Sequence, residues 1–441
     1  MTETKDFKIV VKTFGGLEEI LAGELRDLGA KEVTPLKRAV ECVGDNRMLY
    51  LANFRCRTAL KVLKPVYEFE ASDPEQVYHK LRHLDWNEYL TVDKTFSIHS
   101  VVHSDNFNHS KFVSYKVKDA IVDFFNKETG KRPSVSLTNP DILFNIHIAG
   151  EQCTLSLDSS GESLHKRGWR VEQTEAPINE VLAAGLLMLA NWKGQCDLYD
   201  PMCGSGTFLV EAAMIATNTA PGLYRQEFAF EKWNDFDADL LDEIYNDDSA
   251  EKEFEHKIYG SDVSRIATDK TLKNVKNAGM NRYIEVDTLP FQNLEPKSEK
   301  GMIVTNPPYG ERLKVHDLNN LYGIIGERLK HHFSGFNAWI LGYLEESFYA
   351  IGLRPSHKIK LKNGPLDCQF RKYELYEGSK KAAKQDRGNF RQGGNRNFNG
   401  DKRRPRFNAG SNGNNRFSAD GAKKHERQVR SGQRKRRDTN E

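Results

Sequence analysis

Apolar and polar positions alternate along the first 60 residues in an order that predicts strand, helix and strand. Residues 7–14 form a β-rich run, and the apolar residues of 17–30 recur at helical spacing until Gly29 ends the pattern. The next stretch continues with two helical segments and several strand-like runs, and Asp73-Pro74 opens the first of those helices. We therefore expect a small α/β unit over residues 1–62 and an α+β module over 63–160.

A second pattern follows the polar link formed by residues 162–172. A long apolar helix is predicted over 176–192, and after it strands alternate with helices to residue 377. Such alternation predicts a doubly wound, mostly parallel sheet over 161–377, whose active edge lies at the C-terminal ends of its strands. An acidic stretch, residues 218–257, interrupts the alternation as a helical insertion.

Charge divides the 441-residue chain unevenly, although its formal net charge is only +3. Residues 379–441 contain 19 Lys and Arg against six Asp and Glu, a net charge of +13, which leaves −10 on residues 1–378. Residues 378–441 are rich in Gly, Asn and Arg and almost lack aliphatic side chains, so we expect a disordered tail.

Cysteine usage and hydropathy favour a cytoplasmic protein. The six cysteines include no C-x-x-C pair and no Cys/His group at zinc spacing. The first residues lack the charge and apolar pattern of a signal peptide, and the longest apolar run, 181–190, is half of a membrane span. We therefore expect neither secretion nor membrane insertion, and no metal; a metal site at His99 and His103 is disfavoured because no third ligand is nearby.

A glycine-rich turn directly follows the predicted strand that ends in Leu198 and Tyr199. Gly204 and Gly206 let the backbone approach a ligand closely, and the following helix offers free N–H groups, which is typical of a nucleotide-like ligand. Leu209 replaces the third glycine of a dinucleotide motif, which argues against NAD. A tight turn without function is the alternative.

Two acidic residues follow the next predicted strands on the same edge. Asp262 is placed to accept hydrogen bonds from both hydroxyls of a ribose, unless it only caps a surface helix. Asp287 is a weaker candidate, suited to contact a base amine.

The most specific signal is a rigid turn formed by Asn306, Pro307, Pro308 and Tyr309 after the strand 301–304. Two prolines fix the backbone and carry no N–H, so their carbonyls are free to accept hydrogen bonds. The Asn306 oxygen and the Pro307 carbonyl could bind both hydrogens of an exocyclic amine, while Tyr309 stacks on the base. This chemistry suits alkylation of an amine, and a purely structural turn is the less favoured alternative.

The tail interleaves phenylalanines with basic residues, a pattern able to stack on unpaired bases and neutralise phosphates. The RNA-binding candidates are Arg387, Phe390, Arg391, Phe398, Arg403, Arg404 and Phe407. A merely solubilising extension is the alternative.

The three motifs together resemble the amino-methyltransferase branch of class I S-adenosylmethionine-dependent enzymes. They read Asp-Pro-Met-Cys-Gly-Ser-Gly-Thr at 200–207, Gly-Ser-Asp at 260–262 and Asn-Pro-Pro-Tyr-Gly-Glu-Arg at 306–312. The N-terminal half resembles a ferredoxin-like segment followed by a THUMP RNA-binding domain. Residues 14–19, 167–180 and 363–368 are similar to the RlmL-type methyltransferases of bacterial 23S rRNA.

This resemblance implies a Rossmann-like methyltransferase domain that uses S-adenosylmethionine to methylate the N2 amine of a guanine. It implies that Asn306 to Tyr309 receive the base, in 23S rRNA or a pre-ribosomal particle. The residues that it implies for cofactor binding are Asp200, Pro201, Gly204, Gly206, Thr207, Asp262, Asp287 and Asn179.

Other functions remain open at the level of sequence. A tRNA guanine methyltransferase and an adenine methylase share the same motifs. A protein-glutamine methyltransferase shares the Asn-Pro-Pro-Tyr turn, but the RNA-binding module argues against it. A non-catalytic RNA-binding factor of ribosome assembly, which kept only the fold, is the alternative from a different class.

Overall fold

The structure, a computed structural model, describes residues 5–107, 109–308 and 315–377. Tyr309 and the whole predicted tail, with its seven RNA-binding candidates, lie outside the described residues. Within the described part, two sheets confirm the predicted α/β class with an α+β half before a doubly wound half.

The N-terminal half forms one eight-stranded sheet in the order β2-β3-β1-β4-β8-β7-β5-β6. Its elements are β1 (Phe7–Lys12), α1 (Glu18–Asp27), β2 (Lys31–Leu36), β3 (Ala39–Gly44), α2 (Asn46–Arg55), β4 (Lys61–Glu70), α3 (Pro74–Leu81), β5 (Thr95–His103), α4 (Ser110–Thr129), β6 (Ser134–Val135), β7 (Ile142–Ala149) and β8 (Gln152–Asp158). As predicted, Asp73 caps α3, since its side chain accepts a hydrogen bond from the backbone N–H of Gln76.

Strand β4 belongs to both expected N-terminal units. Its first residues pair with β1, where Lys61 opposes Lys12, and its remaining length pairs with β8 from Leu63 to Glu70. The boundary that we expect between residues 62 and 63 stays a prediction, and it falls inside this strand. A shared strand gives the two units one continuous backbone hydrogen-bond ladder.

The C-terminal half forms a seven-stranded sheet in the order β11-β10-β9-β12-β13-β15-β14. Its elements are α5 (Glu180–Leu189), β9 (Asp197–Asp200), α6 (Thr207–Ala216), α7 (Ala238–Asn246), β10 (Ile258–Asp262), α8 (Arg265–Asn277), β11 (Ile284–Thr288), β12 (Gly301–Thr305), α9 (Val315–His332), β13 (Asn337–Gly342), α10 (Glu345–Ala350), β14 (His357–Asn363) and β15 (Leu366–Glu374). The first five strands in this order are parallel, and β15 is antiparallel to both of its neighbours. This is the predicted doubly wound arrangement with an antiparallel hairpin at one edge.

Residues 162–179, here called the strap, connect the two halves and include the predicted polar link, residues 162–172. Arg167 is 2% exposed and Trp169 is fully buried, whereas Lys166 and Val171 of the same segment are exposed. The helix predicted over 176–192 is shorter: α5 begins only at Glu180, since the Asn179 side chain caps its first turn and Ala176 and Pro177 remain in the strap.

The predicted insertion packs on the N-terminal half. The 3-10 turn Ala229–Lys232 brings the Phe230 ring to 4.1 Å from the Tyr50 ring of α2, in a stacked arrangement. Arg47 of α2 forms an ion pair at 2.9 Å with Glu243 of α7. The insertion of the C-terminal half therefore contributes to the core of the N-terminal half.

Candidate active site

The first and last motifs meet at the C-terminal edge of the central strands β9 and β12. These strands are parallel neighbours, so Asp200 at the end of β9 lies beside Thr305 at the end of β12. The Asp200 carboxylate is 2% exposed and accepts hydrogen bonds from the Thr305 hydroxyl at 2.8 Å and the Met202 N–H at 3.3 Å. Asp200 thus fixes the glycine-rich turn relative to the Asn306 turn.

Burial governs the charge of this carboxyl group. Desolvation raises the pKa of Asp200 to about 7; hydrogen bonds from Thr305 and Met202 oppose the rise, and the nearby charge of Asp262 adds to it. The group therefore titrates near neutral pH.

The glycine-rich turn needs both glycines for their backbone conformation, and it needs Gly206 also for lack of space. Both adopt left-handed backbone conformations, with φ of +56° at Gly204 and +83° at Gly206. A Cβ atom at residue 206 would lie 2.7 Å from the Thr271 methyl group of α8. The Thr271 hydroxyl in turn donates to the Gly204 carbonyl at 2.8 Å, so α8 holds the turn against the sheet.

Asp262 lies at the end of β10, as predicted, and holds the same turn. One carboxylate oxygen accepts the Gly204 N–H at 3.0 Å, and the other accepts the Ser264 N–H at 2.9 Å. The following residue, Val263, is 73% exposed beside it, an apolar side chain without a covering partner among the described residues. Sequence reasoning missed Val263, although its place directly after the acidic residue was a usable signal.

Asp287 lies apart from these groups. Its side chain is exposed, and its carboxylate is 3.8 Å from the Lys297 ammonium. Asp287 pairs in register with Ser261, whereas Thr288 pairs with Asp262. The side chains of Asp287 and Asp262 therefore project from opposite faces of the sheet.

Asn306 follows β12 directly, and Pro307 is buried behind it. The Asn306 side-chain oxygen is buried and has no hydrogen-bond partner among the described residues. An unpaired buried acceptor costs about 1–3 kcal/mol. Such a group is typical of a site whose partner arrives with the substrate.

Arg170 of the strap was not predicted, yet it organises the back of the glycine-rich turn. Its guanidinium group donates to the Glu180 carboxylate at 2.7 Å, to the Ser205 hydroxyl at 2.8 Å and to the Thr207 hydroxyl at 2.8 Å. The Thr207 side chain, a predicted cofactor ligand, is therefore engaged by the strap. The predicted ligand Asn179 likewise uses its side-chain oxygen to cap α5, at 3.0 Å from the Val181 N–H.

A third residue that sequence reasoning missed, Asn274 of α8, is fully buried and makes four hydrogen bonds. Its oxygen accepts the N–H groups of Val171 and Glu172, and its nitrogen donates to the carbonyls of Glu172 and Ser205. The strap is thus fixed to α8 and to the glycine-rich turn at once.

None of the six cysteines forms a disulfide. Among the described residues no group of three or more His, Cys, Asp or Glu side chains is arranged to hold a metal ion. No helix in the described ranges is both long and apolar enough to cross a bilayer.

Comparison with family models assigns three consecutive regions. The RlmL ferredoxin-like domain matches residues 8–63, the THUMP domain matches 71–158, and the RMKL-like methyltransferase domain matches 167–372.

Similar proteins agree with these assignments. A Synechocystis protein named as an RNA methyltransferase is 38% identical over 364 residues, which cover 82% of this chain and 95% of that protein. The ribosomal RNA large subunit methyltransferase K/L of Syntrophotalea carbinolica is 38% identical over 376 residues, but this chain spans only 53% of its length. The crystal structure of the methyltransferase SMU.472, complexed with SAH, superposes with a TM-score of 0.76 at 29% identity, covering 85% of this chain and 100% of that one. The chain therefore belongs to the family of methyltransferases that join an RlmL ferredoxin-like domain and a THUMP domain to an RMKL-like methyltransferase domain.

Proposed function

We propose that this protein transfers a methyl group from S-adenosylmethionine to the exocyclic N2 amine of a guanine in 23S rRNA. The observation that carries the proposal is the buried Asn306 oxygen, which lacks a partner at the active edge of the sheet among the described residues. It lies next to two prolines that offer carbonyl acceptors and no N–H donors. A base amine supplies the two N–H groups that such a pair of acceptors would bind.

The described residues fit the proposed cofactor. At Gly204 no atom lies closer than 3.7 Å to the position of a Cβ, which leaves room for the methionine part, and the Asp262 carboxylate can accept hydrogen bonds from a ribose. The exposed Val263 would cover one face of an adenine. An adenine contact by Asp287 requires that its side chain leave Lys297. When bound, S-adenosylmethionine supplies an electrophilic methyl group on a sulfonium sulfur.

The reaction proposed is a direct displacement at that methyl group. The lone pair of the guanine nitrogen forms the new N–C bond, while the electrons of the broken C–S bond stay on sulfur. The guanine amine is a poor nucleophile because its lone pair is delocalised into the ring. Asn306 and the Pro307 carbonyl would stabilise the partly positive nitrogen of the transition state, which afterwards loses a proton to solvent.

The substrate class rests on the N-terminal half and on the relatives. A THUMP domain suits RNA, and the K/L relative is named as a ribosomal RNA large subunit enzyme. This chain spans about half of that relative's length. We place the protein in the cytoplasm, where this RNA, naked or in a pre-ribosomal particle, would be met.

The test is methyl transfer from labelled S-adenosylmethionine to deproteinised 23S rRNA and, separately, to tRNA, with nucleosides identified by mass spectrometry. We expect N2-methylguanosine in rRNA alone. Label in tRNA, or on adenosine, would show that the proposed substrate is wrong, while the proposed methyl transfer to a base amine would still hold.

Substitution of Asn306 separates catalysis from binding. Asn306→Ala should lower the rate of methylation at least ~100-fold, because it removes an acceptor used in the transition state, and should leave RNA affinity unchanged. Equal methylation by this variant would refute the assigned role. If wild-type protein binds RNA and labels neither naked RNA nor pre-ribosomal particles, the non-catalytic assembly factor becomes the better explanation.

A further inference from the structure

A cavity of about 1020 Å³ lies between the THUMP region and the catalytic half, apart from Asn306. One wall is the loop 137–140 before β7, the second is the strap, and the third is the segment 224–232 of the insertion. A volume near ~1000 Å³ is at the upper end of the range for small-molecule sites. The cavity is therefore large enough for about one or two nucleotides.

Arg225 lines this cavity and is an unusual cation. Only 9% of it is exposed, and its two terminal nitrogens donate to four backbone carbonyls, those of Ser160, Glu162, Ser163 and Lys166. Its Nε atom is buried and has no hydrogen-bond partner, and the guanidinium forms no ion pair within the described ranges. Because these bonds go to neutral carbonyls, no directly bonded carboxylate cancels the positive charge of Arg225; the charges of Glu162 and Asp158 act on it only from a distance.

The other cations of the cavity are already matched by carboxylates. Lys166 pairs with Glu162, Arg170 pairs with Glu180 at 2.7 Å, and Lys232 lies 3.6 Å from Glu227. The described lining therefore carries one positive charge in excess, that of Arg225, beside many neutral polar groups. This balance suits a single phosphate group attached to a polar body.

We propose that the cavity binds a backbone phosphate of the RNA substrate, with Arg225 as its anchor and the adjoining nucleotide filling the space. The inference rests on the proposed function, because it takes RNA as the partner. It assigns an RNA contact to the junction between the THUMP region and the strap. The rim residue Leu137, 89% exposed, would contact the entering nucleotide.

The strap links this cavity to the cofactor site. Arg170 and Glu180 line the cavity, and the same Arg170 donates to Ser205 and Thr207 of the glycine-rich turn. An RNA strand seated in the cavity would thus touch residues that position the cofactor-binding turn.

Two variants with accessible side chains test the proposal without removing Arg225, which holds the strap. Thr138→Trp would fill the cavity from its exposed loop, and Lys166→Glu would reverse a charge beside Arg225. The matched controls are Ser134→Trp and Lys193→Glu, which are exposed residues outside the lining. RNA affinity is measured with a labelled 23S rRNA fragment across a salt series, and S-adenosylhomocysteine affinity is measured alongside.

We expect both cavity variants to weaken RNA binding at least fivefold, and both controls to behave as wild type. Lys166→Glu should also flatten the slope of log affinity against log salt by about 0.7, the value for one phosphate contact on a single strand. S-adenosylhomocysteine affinity should not change.

Unchanged RNA affinity in both cavity variants, with an active wild-type enzyme, would overturn the inference and leave the proposed function intact. A phosphate site would be supported if guanosine monophosphate competes with RNA for the wild type and the control variants but not for Thr138→Trp, in which the cavity is filled. If the cavity binds guanosine monophosphate but Thr138→Trp leaves RNA affinity unchanged, the cavity is a site for a free nucleotide, and the assignment to RNA is overturned. Absence of methylation by the wild type tests the proposed function separately.

Discussion

Arg170 shows how one side chain positions the candidate active site without lying in any motif. It joins the start of α5, through Glu180, to two hydroxyl groups of the glycine-rich turn, and its guanidinium lies 4.9 Å from the Trp169 ring. Charged hydrogen bonds of this kind contribute about 1.5–3 kcal/mol each. Its role is to hold the turn in the conformation that accepts a ligand.

We expect Arg170→Gln to raise the dissociation constant for S-adenosylhomocysteine about tenfold, because the variant cannot make at least one of the charged hydrogen bonds to the turn. RNA affinity should fall by a smaller factor, because Arg170 also lines the cavity and its loss leaves the Glu180 carboxylate without its cation. Isothermal titration calorimetry gives the first quantity and fluorescence anisotropy gives the second.

Chemical rescue distinguishes positioning from a general loss of structure. Added guanidinium ion should restore part of the cofactor affinity of Arg170→Ala, whereas a misfolded variant would not respond. A dissociation constant equal to wild type in Arg170→Gln would contradict the assigned role.

Asp200 makes stability depend on pH. Its pKa is about 7 in the folded protein and about 3.9 in an unfolded chain, so the folded state binds an extra proton between these values. The free energy of unfolding contributed by this group therefore falls as pH rises from about 4 to about 7, by on the order of 4 kcal/mol, and is level above about pH 7. Asp200→Asn cannot ionise and should lack this component.

The measurement is the difference in Tm between wild type and Asp200→Asn at about pH 5 and at about pH 8, on either side of the folded-state pKa. We expect the Tm of Asp200→Asn, relative to that of the wild type, to be higher at about pH 8 than at about pH 5. An equal difference at both pH values would show that Asp200 does not titrate in this range.

The motif residues were predictable because each motif is local in sequence. Asp200, Gly204, Gly206, Asp262 and Asn306 each follow a strand within a few positions, and the ends of parallel strands meet at one edge. Arg170 and Asn274 were missed because their partners are distant: Arg170 bonds residues 35 and 37 positions away, and Asn274 bonds residues up to 103 positions away. The spacing of apolar and polar residues along the sequence gives no information on such contacts. The predicted base contact of Tyr309 lies outside the described residues and stays a prediction.

At the scale of elements, the strap and the insertion determine how the two halves join. The strap has a polar sequence, so hydropathy predicted a polar link and gave no sign that Arg167 and Trp169 are buried. Its buried residues pack on other elements: Trp169 lies in the core of the C-terminal half, and Arg167 contacts Glu211 of α6. The Arg225 guanidinium of the insertion also donates to the Lys166 carbonyl of the strap. Strands and helices with a clear period were predictable, whereas a segment ordered by another segment far along the chain was not.

Gly168 marks the closest approach between these two segments. A Cβ atom at this position would lie 2.1 Å from the Tyr224 carbonyl oxygen, and its φ is +96°. Gly29 has a nearly equal φ of +91° with no atom within 4 Å of the corresponding Cβ position. Alanine substitutions at Gly168 and Gly29 therefore separate the free-energy cost of a steric contact from that of a left-handed backbone conformation.

We expect Gly29→Ala to destabilise the protein by about 1 kcal/mol, the cost of a left-handed conformation. The fall in Tm caused by Gly168→Ala should be several times that caused by Gly29→Ala, because the Tyr224 backbone must move. Gly168→Ala should also make the strap sensitive to limited proteolysis. Equal shifts in Tm for the two variants would show that the strap does not depend on this contact.

At the scale of the whole molecule, buried polar contacts connect the halves. Arg167 of the strap donates to the Arg57 carbonyl in the N-terminal half, and its Nε lies 3.4 Å from Glu211 of α6. Arg57 itself donates to Asn218 at 3.3 Å. Breaking such buried contacts leaves unpaired charges, which favours a fixed relation between the ferredoxin-like region and the C-terminal half.

Charge also differs between the body and the tail, and this difference predicts how RNA binding responds to salt. Residues 379–441 carry a net charge of +13, opposite in sign to the rest of the chain. We expect removal of these residues to weaken RNA binding and to flatten its salt dependence, by about 0.7 for each phosphate of a single strand that the tail neutralises. An anisotropy titration at several salt concentrations measures both, and an unchanged slope would assign the tail a role other than RNA binding.

The packing of the insertion on α2 has a consequence for synthesis on the ribosome. The last strand of the N-terminal sheet ends at Asp158, but Phe230, Leu241 and Ile244, which complete its hydrophobic core, come later in the chain. At roughly 5–20 residues per second, translation needs several seconds to add them. During that interval the nascent N-terminal half exposes the apolar surface around Tyr50 and Phe54, so this half of the protein is the part that a ribosome-associated chaperone would most need to shield.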